Sequence, residues 1–322
     1  MATTTTTSPT NLSNYEAINN LVRDSFLANF EPRKYLMRFS TAPMNIVGYD
    51  KAVWPAAPRL DITPAQAKLQ EGITPTSQDF ELTSVEVDTE QYGMYYKMSD
   101  RFLKVTANLP SITAKASQNL ADATERLIDR IIQDEVMDNV SEVLYAAPSA
   151  GGTRRTSRAN LQAGDVMTFY DLEEIAFLLD KAEAPVHPET GTYVGIIAPE
   201  HIRQIRQEAG ADVNTFAEAV KYNAPEKLLG TQFVGQIAGI SIFSSQNLKT
   251  YNSAIEVFPA LFFGGEAYGM AKLQDPEVIF HLPGSGGTND PLNQRATIGM
   301  KIDFASTILQ QESLVRREGA GV

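Results

Sequence analysis

The sequence predicts an α+β fold organised around one unusually long helix. Three observations carry this reading: an apolar stripe at helical spacing over residues 111–145, two-residue alternation in segments on either side of it, and an intervening stretch where short strands and short helices take turns.

Residues 1–12 carry almost no apolar surface and read as a tail. Over residues 14–30, Ile18, Leu21, Val22, Phe26 and Leu27 recur at helical spacing and predict a short amphipathic helix. The next segment, 40–99, changes character. Its part from 54 to 78 holds Pro55, Pro58, Pro64, Pro75 and Gly72, too many breakers for regular structure. Beyond it Phe80 and Leu82 alternate, the pattern slips near Thr83, and it resumes at Val85 and Val87 and then at Tyr92, Met94, Tyr96 and Met98. Half-buried strands with a bulge near Thr83 follow from that pattern. With a strand-like stretch at 45–53 they predict a long, poorly covered hairpin. Residues 58–78 at its tip have few apolar anchors, so the tip is expected to work between subunits.

Residues 111–145 give the strongest local pattern. Pro110 stands where a first helical turn tolerates proline, and Pro148, Gly151 and Gly152 end the run. Leu120, Ala123, Leu127, Ile128, Ile131, Ile132, Val136, Val140, Val143 and Leu144 form one face, with Arg126, Asp129, Arg130, Asp134 and Asp138 mainly outside it. At 1.5 Å per residue such a helix is about 50 Å long, the proportions of a strut.

Compact α/β structure is predicted after it. Thr168 and Asp171 fit a capping box ahead of Leu172, Ile175, Ala176 and Leu179. A strand at 193–198, a helix from Pro199 through Ile205, turns at Gly230, Gly235 and Gly239, and strands at 240–243 and 255–263 complete the region. The end returns to β structure at 278–282 and in the alternation of Ala296, Ile298, Met300, Ile302 and Phe304. The chain thus divides at 1–39, 40–99, 100–165, 166–271 and 272–322.

Composition narrows the function. A length of 322 residues allows about two domain-sized units, and a hydrophobic fraction of 43% is enough to give them cores. No apolar run approaches the ~18–20 residues that span a bilayer, and the Thr-rich start lacks the regions of a signal peptide, so a soluble protein made in the cytosol is expected. Without cysteine there are no disulfides, thiolate metal sites or cysteine nucleophiles. A formal charge of −12 argues against a protein whose main task is gripping nucleic acid. His187, His201 and His281 lie in separate segments without metal-ligand spacing, and His201 reads as a solvated side chain. The run Gly284-Ser285-Gly286-Gly287-Thr288 lacks the Gly-Lys-Ser/Thr ending of a phosphate loop and reads as a flexible loop. There is no GxSxG elbow, and the carboxylates are scattered. Catalytic, cofactor-binding and metal residues are therefore not predicted. Two basic clusters remain, Arg154, Arg155 and Arg158, and Arg316 with Arg317. The first reads as a solvated loop, as a salt-bridge contact to an acidic neighbouring subunit, or as a DNA contact.

The order of parts, an arm, a long hairpin, a very long helix, a compact α/β region and a return to β, resembles the HK97-like major capsid proteins of tailed bacteriophages. Within that fold the sequence is similar to the coliphage N-four-like major capsid family. The narrower likeness rests on Leu69-Gln70-Glu71-Gly72-Ile73-Thr74-Pro75, on Tyr92-Gly93 followed by Ser99-Asp100, on Gly265-Glu266-Ala267-Tyr268-Gly269, and on Asp290-Pro291-Leu292-Asn293-Gln294-Arg295 followed by Gly299 and Lys301. Gly235 and Gly239 match a glycine pair of the family, but Gln232-Phe233 stands where a Gly-Glu is expected.

The resemblance implies an N-terminal arm, an extended loop overlapping a neighbour, a spine helix in a peripheral domain and an axial domain. It implies a homo-oligomer of hexamers and pentamers in an icosahedral shell, with portal, scaffolding and decoration proteins as partners. Such a shell encloses double-stranded DNA without sequence-specific binding, an acidic wall letting the polymer slide. It is assembled in the bacterial cytoplasm, becomes the virion capsid, and needs no cofactor, membrane or catalytic activity. The same fold also serves encapsulin-type nanocompartments. From a different class, an enzyme site assembled from distant carboxylates is the further alternative.

Overall fold

In the computed structural model, which describes residues 20, 22–27, 35–40, 42–45, 50–56, 68, 82–105, 109–148, 153–208, 233–253, 255–283 and 290–321, the long helix runs over Leu109–Asn139. In chain order the elements are α1 (Tyr35–Arg38), β1 (Ala42–Asn45), β2 (Lys51–Ala56), β3 (Thr83–Asp88), β4 (Glu90–Ser99), α2 (Asp100–Val105), α3 (Leu109–Asn139) and β5 (Val143–Tyr145). There follow α4 (Phe169–Lys181), β6 (Tyr193–Ile197), α5 (Pro199–Glu208), β7 (Phe233–Ile237), β8 (Ile240–Ser244) and β9 (Tyr251–Asn252). The last four are β10 (Glu256–Phe263), β11 (Tyr268–His281), β12 (Arg295–Ile308) and β13 (Leu314–Ala320).

Helix α3 is about 46 Å long at 1.5 Å per residue, and it stops earlier than its apolar stripe predicts. Residues 143–145 leave it to form β5, paired in parallel with β13. The chain around β13 supplies the stop. Gln311 donates to the Asn139 carbonyl at 3.0 Å and accepts from the Ser141 amide at 3.1 Å, and Arg316 donates to the Met137 carbonyl. The orphan carbonyls of the last turn are thereby satisfied from a distant segment. A second departure is Asp129, expected outside the apolar face but buried. It accepts from Gln133 at 2.9 Å and from Asn247 at 3.2 Å, because the chain at 247–249 docks on this side of the helix.

Two sheets flank the helix and share its core. The four-stranded sheet has the order β1-β11-β12-β4. Ile298, Met300, Ile302 and Phe304 of β12 pack with Leu120, Ile128, Ile132 and Val136 of α3 in one cluster. Residues 90–99, expected in the extended hairpin, pair instead with β12 from Arg295↔Ser99 to Phe304↔Glu90. The seven-stranded sheet has the order β5-β13-β10-β6-β8-β7, with β9 on β10. Its last member in sequence, β13, joins this sheet, whereas β12 just before it belongs to the four-stranded sheet. Helices α4 and α5 supply Leu172, Ile175, Ile202 and Ile205 to its second cluster. At the entry to α4 the Thr168–Asp171 capping box forms as the sequence predicts. The N-terminal stretch 22–27 is helical, with Val22 and Phe26 buried in the first cluster and the Val22 carbonyl accepting from Ser117 of α3 at 2.8 Å.

Candidate assembly surface

Strands β2 and β3, from the segment expected to form the extended hairpin, make a separate antiparallel pair, Lys51↔Asp88 to Ala56↔Thr83. Their inner face is covered by their own chain. Ala52 and Trp54 are buried against Ala271 and Ala305 of the four-stranded sheet, with Val87 and Leu309 beside them. Gly269 makes this possible, since a β-carbon there would stand 3.1 Å from the Trp54 indole. The apolar face predicted to need a neighbour therefore has, at its base, cover from β11 and β12. Val53, between Ala52 and Trp54 in sequence, and Leu82, just before β3, are exposed. The tip, with Glu71, Gly72 and Pro75, lies outside the described residues, as does the Gly-rich run at 284–288. Thr83, near which a bulge was expected, is where β3 begins.

The outer face of the four-stranded sheet is covered by β2–β3 at Ala271 and Ala305, but around Gly299 it is open among the described residues. Tyr95 is 71% exposed and stands opposite Gly299, which stands opposite the exposed Ile279 on β11. Gly93 lies two pairs along on the same face, opposite Lys301, whose ammonium sits 3.2 Å from Glu277. On the inner face Tyr92 donates to Glu90 at 2.6 Å, and its pKa is pushed up to about 12, first by burial and then by that carboxylate.

The arginines of the first basic cluster are partly buried and each is paired within its own chain. Arg154 meets Asp171 at 2.6 Å and also binds Glu174; Arg155 meets Asp165 at 2.8 Å; Arg158 forks onto Glu318 at 2.7 and 2.6 Å. Arg317, fully buried, donates to Asp171 at 2.9 Å and to the Val166 carbonyl at 2.7 Å. The matching carboxylates belong to the same chain, so these guanidinium forks tie the 153–160 loop to α4 and β13. Gly319, two residues along β13, leaves room for the Arg317 guanidinium, which a β-carbon would overlap.

His201 also departs from expectation. It is fully buried, its Nε2 is 3.3 Å from Arg317 Nη1, and its pKa lies well below the ordinary imidazole value, mainly through burial and then through the Arg317 charge. His187 is buried too, its Nε2 3.2 Å from the Phe39 carbonyl, and burial lowers its pKa. A last polar cluster, not anticipated from sequence, joins α3 to the chain after β8. Lys249 reaches Asp134 and Asp138 at 2.7 Å each, and Tyr251 donates to Asp138 at 2.6 Å under the Arg158 guanidinium. Tyr251 is pushed up to about 12 by burial and by Asp138.

The remaining motif residues serve turns and close packing. Asp290 accepts from the Arg295 amide at 2.8 Å and Asn293, at φ 53°, donates to the Asp290 carbonyl, closing the turn that Pro291 enters before β12. Tyr268 is fully buried and its hydroxyl donates to the Leu36 carbonyl at 2.6 Å, fixing α1. Gly265 donates to the Pro185 carbonyl. Ala238 and Gly239, at φ 50° and 78°, make the two-residue turn between β7 and β8, and Gly235 sits at a register shift in β7. Of the described motif residues, Ser99 and Asp100 meet Gln294 and Arg295 around one pocket, where the Asp100 amide donates to the Gln294 carbonyl at 2.9 Å. Among the described residues no group of three or more His, Asp or Glu is placed to hold a metal ion, and no helix is long and apolar enough to cross a membrane.

The fold has counterparts among solved structures. It is similar to the capsid of Ralstonia phage GP4, with a TM-score of 0.66 and 14% identity over 87% of each chain. The cyanophage Pam1 capsid matches with a TM-score of 0.61 and 15% identity over 85% of each chain. The holo-SrpI encapsulin complex from Synechococcus elongatus matches at 0.56 and 12% over 91% of this chain and 89% of that one. No protein-family model and no curated protein matches the sequence. The chain therefore has the α+β fold of phage capsid proteins.

Proposed function

We propose that the chain is the major capsid protein of a tailed bacteriophage, a structural subunit that self-assembles into an icosahedral shell around double-stranded DNA. The observation that carries this is the likeness to the phage GP4 capsid, which covers 87% of both chains. The uncovered sheet face at Tyr95 and Ile279 and the exposed Val53 and Leu82 support it, since large apolar side chains left open mark contact surfaces. In this reading the chain has no catalytic role. Portal, scaffolding and decoration proteins complete the particle, which assembles in the bacterial cytoplasm. Membership of the coliphage N-four-like family is supported by the four ordered motifs, above all residues 290–295, and Glu71, Gly72 and Pro75 at the loop tip are assigned to contacts between subunits.

The test is sedimentation velocity of the purified chain under assembly conditions, with negative-stain microscopy of the fast fraction. Large closed particles are expected, and a chain that stays monomeric or dimeric contradicts the proposal. The encapsulin likeness supports a second reading, a nanocompartment shell. A cargo-protein gene beside this one, in place of terminase and portal genes, selects that reading.

A further inference from the structure

Two features on the helical face of the seven-stranded sheet present apolar surface beyond the core. The first is a ridge on α4. Its inward stripe of Leu172, Ile175 and Leu179 is fully buried, while on the other side Tyr170 and Phe177 are 71% and 62% exposed. These two aromatics are seven residues apart and therefore share one face of the helix, with the exposed Glu173 between them. Aromatic side chains enriched in one patch distinguish the cores of protein interfaces from ordinary surface.

The second feature is a groove of about 520 Å³ between α5 and the β7–β8 hairpin. The half-buried Phe233 and Val234 supply apolar lining over the buried Ile202, and Arg203 and Arg206 stand at it. Arg203 is exposed. A groove of this kind accepts an aromatic ring, and a guanidinium at its edge can stack on that ring and pair with a carboxylate.

Ridge and groove lie toward opposite ends of the sheet. Helix α4 packs over β13, where Asp171 holds Arg317, whereas the groove is bounded by β8 and β7 at the far edge. They are thus placed to meet head to tail between copies, and such a heterologous contact closes into a ring when the rotation closes. A ridge-to-ridge pairing about a two-fold axis would instead bring Glu173 toward Glu173. We infer that the α4 ridge of one copy seats in the α5–β7 groove of the next, with Tyr170 and Phe177 against the half-buried Phe233 and Val234 and with Glu173 paired to Arg203. This rests on the shell reading above and names the contact that links neighbours around each ring.

The chain has no native cysteine, so engineered thiols report this contact without background. In the double variant Phe177→Cys/Val234→Cys, mild oxidation of assembled particles yields a ladder of linked chains on a non-reducing denaturing gel, ending at a closed pentamer or hexamer. Glu173→Arg and Arg203→Glu each lower particle yield by about tenfold, as loss of one interfacial charge pair implies. The combined charge swap restores most of it, and thermal melting of the subunits is unchanged throughout. Particles that oxidise without linking chains, or single charge variants that assemble like the parent, overturn the pairing and leave the shell reading standing. A parent chain that forms no particles at all removes both.

Discussion

The Asp171 carboxylate holds Arg317 at 2.9 Å in a fully buried site, takes Arg154 at 2.6 Å on its other oxygen, and accepts from the Thr168 amide at 3.1 Å. One side chain thus caps α4, anchors β13 and pins the 153–160 loop.

Replacing Asp171 with Asn keeps the shape and leaves Arg317 without its nearest counter-charge. Removing one partner of a buried ion pair costs about 3–5 kcal/mol, and the retained cap keeps the loss near the lower end. Urea unfolding of the unassembled subunit measures it. A loss below about 1 kcal/mol, the range of exposed pairs, shows that the network is solvated.

Trp54 is the only tryptophan, so its emission reports one event, the docking of β2–β3 on Gly269. The emission is expected to be that of a buried indole and to shift red in Gly269→Val, where the indole loses its seat. Far-ultraviolet circular dichroism of that variant stays near the parent's because the main cores do not include the pair. An unshifted spectrum means that Trp54 packs elsewhere.

Acid sensitivity follows from His201. Burial and Arg317 keep it neutral in the fold, while the unfolded chain takes up a proton near the ordinary value of 6.5. The unfolded state therefore binds more protons below that pH, and stability falls as pH falls, by up to about 1.4 kcal/mol per unit for one histidine. His187 acts in the same direction. Subunit stability measured from pH 7 to pH 5 should decline less steeply in His201→Gln than in the parent. Parallel declines would show that His201 takes its proton in the fold.

The elements that sequence exposes best are those whose pattern reflects burial by their own neighbours. The alternation at Ala296–Phe304 and the stripe on α4 appear as read, because one face of each meets one core. The end of α3 was not legible: Val143 and Leu144 continue the apolar spacing, and only Gln311 and Arg316, far along the chain, decide that the helix stops. The same limit explains Asp129, His201 and the arginines, whose partners come from segments over 100 residues away in several cases. Tyr170 and Phe177 were within reach, since both fall opposite the buried stripe that the sequence identified. Strand β4 was misassigned to the hairpin because alternation gives a strand's faces and not its partner.

Electron cryomicroscopy of the purified chain after assembly tests the central claim most directly. The account predicts hollow closed shells of a single chain type, with rings of five and six copies and in every copy a continuous helical rod over Leu109–Asn139. Discrete small oligomers, or particles whose subunits lack that rod, contradict it.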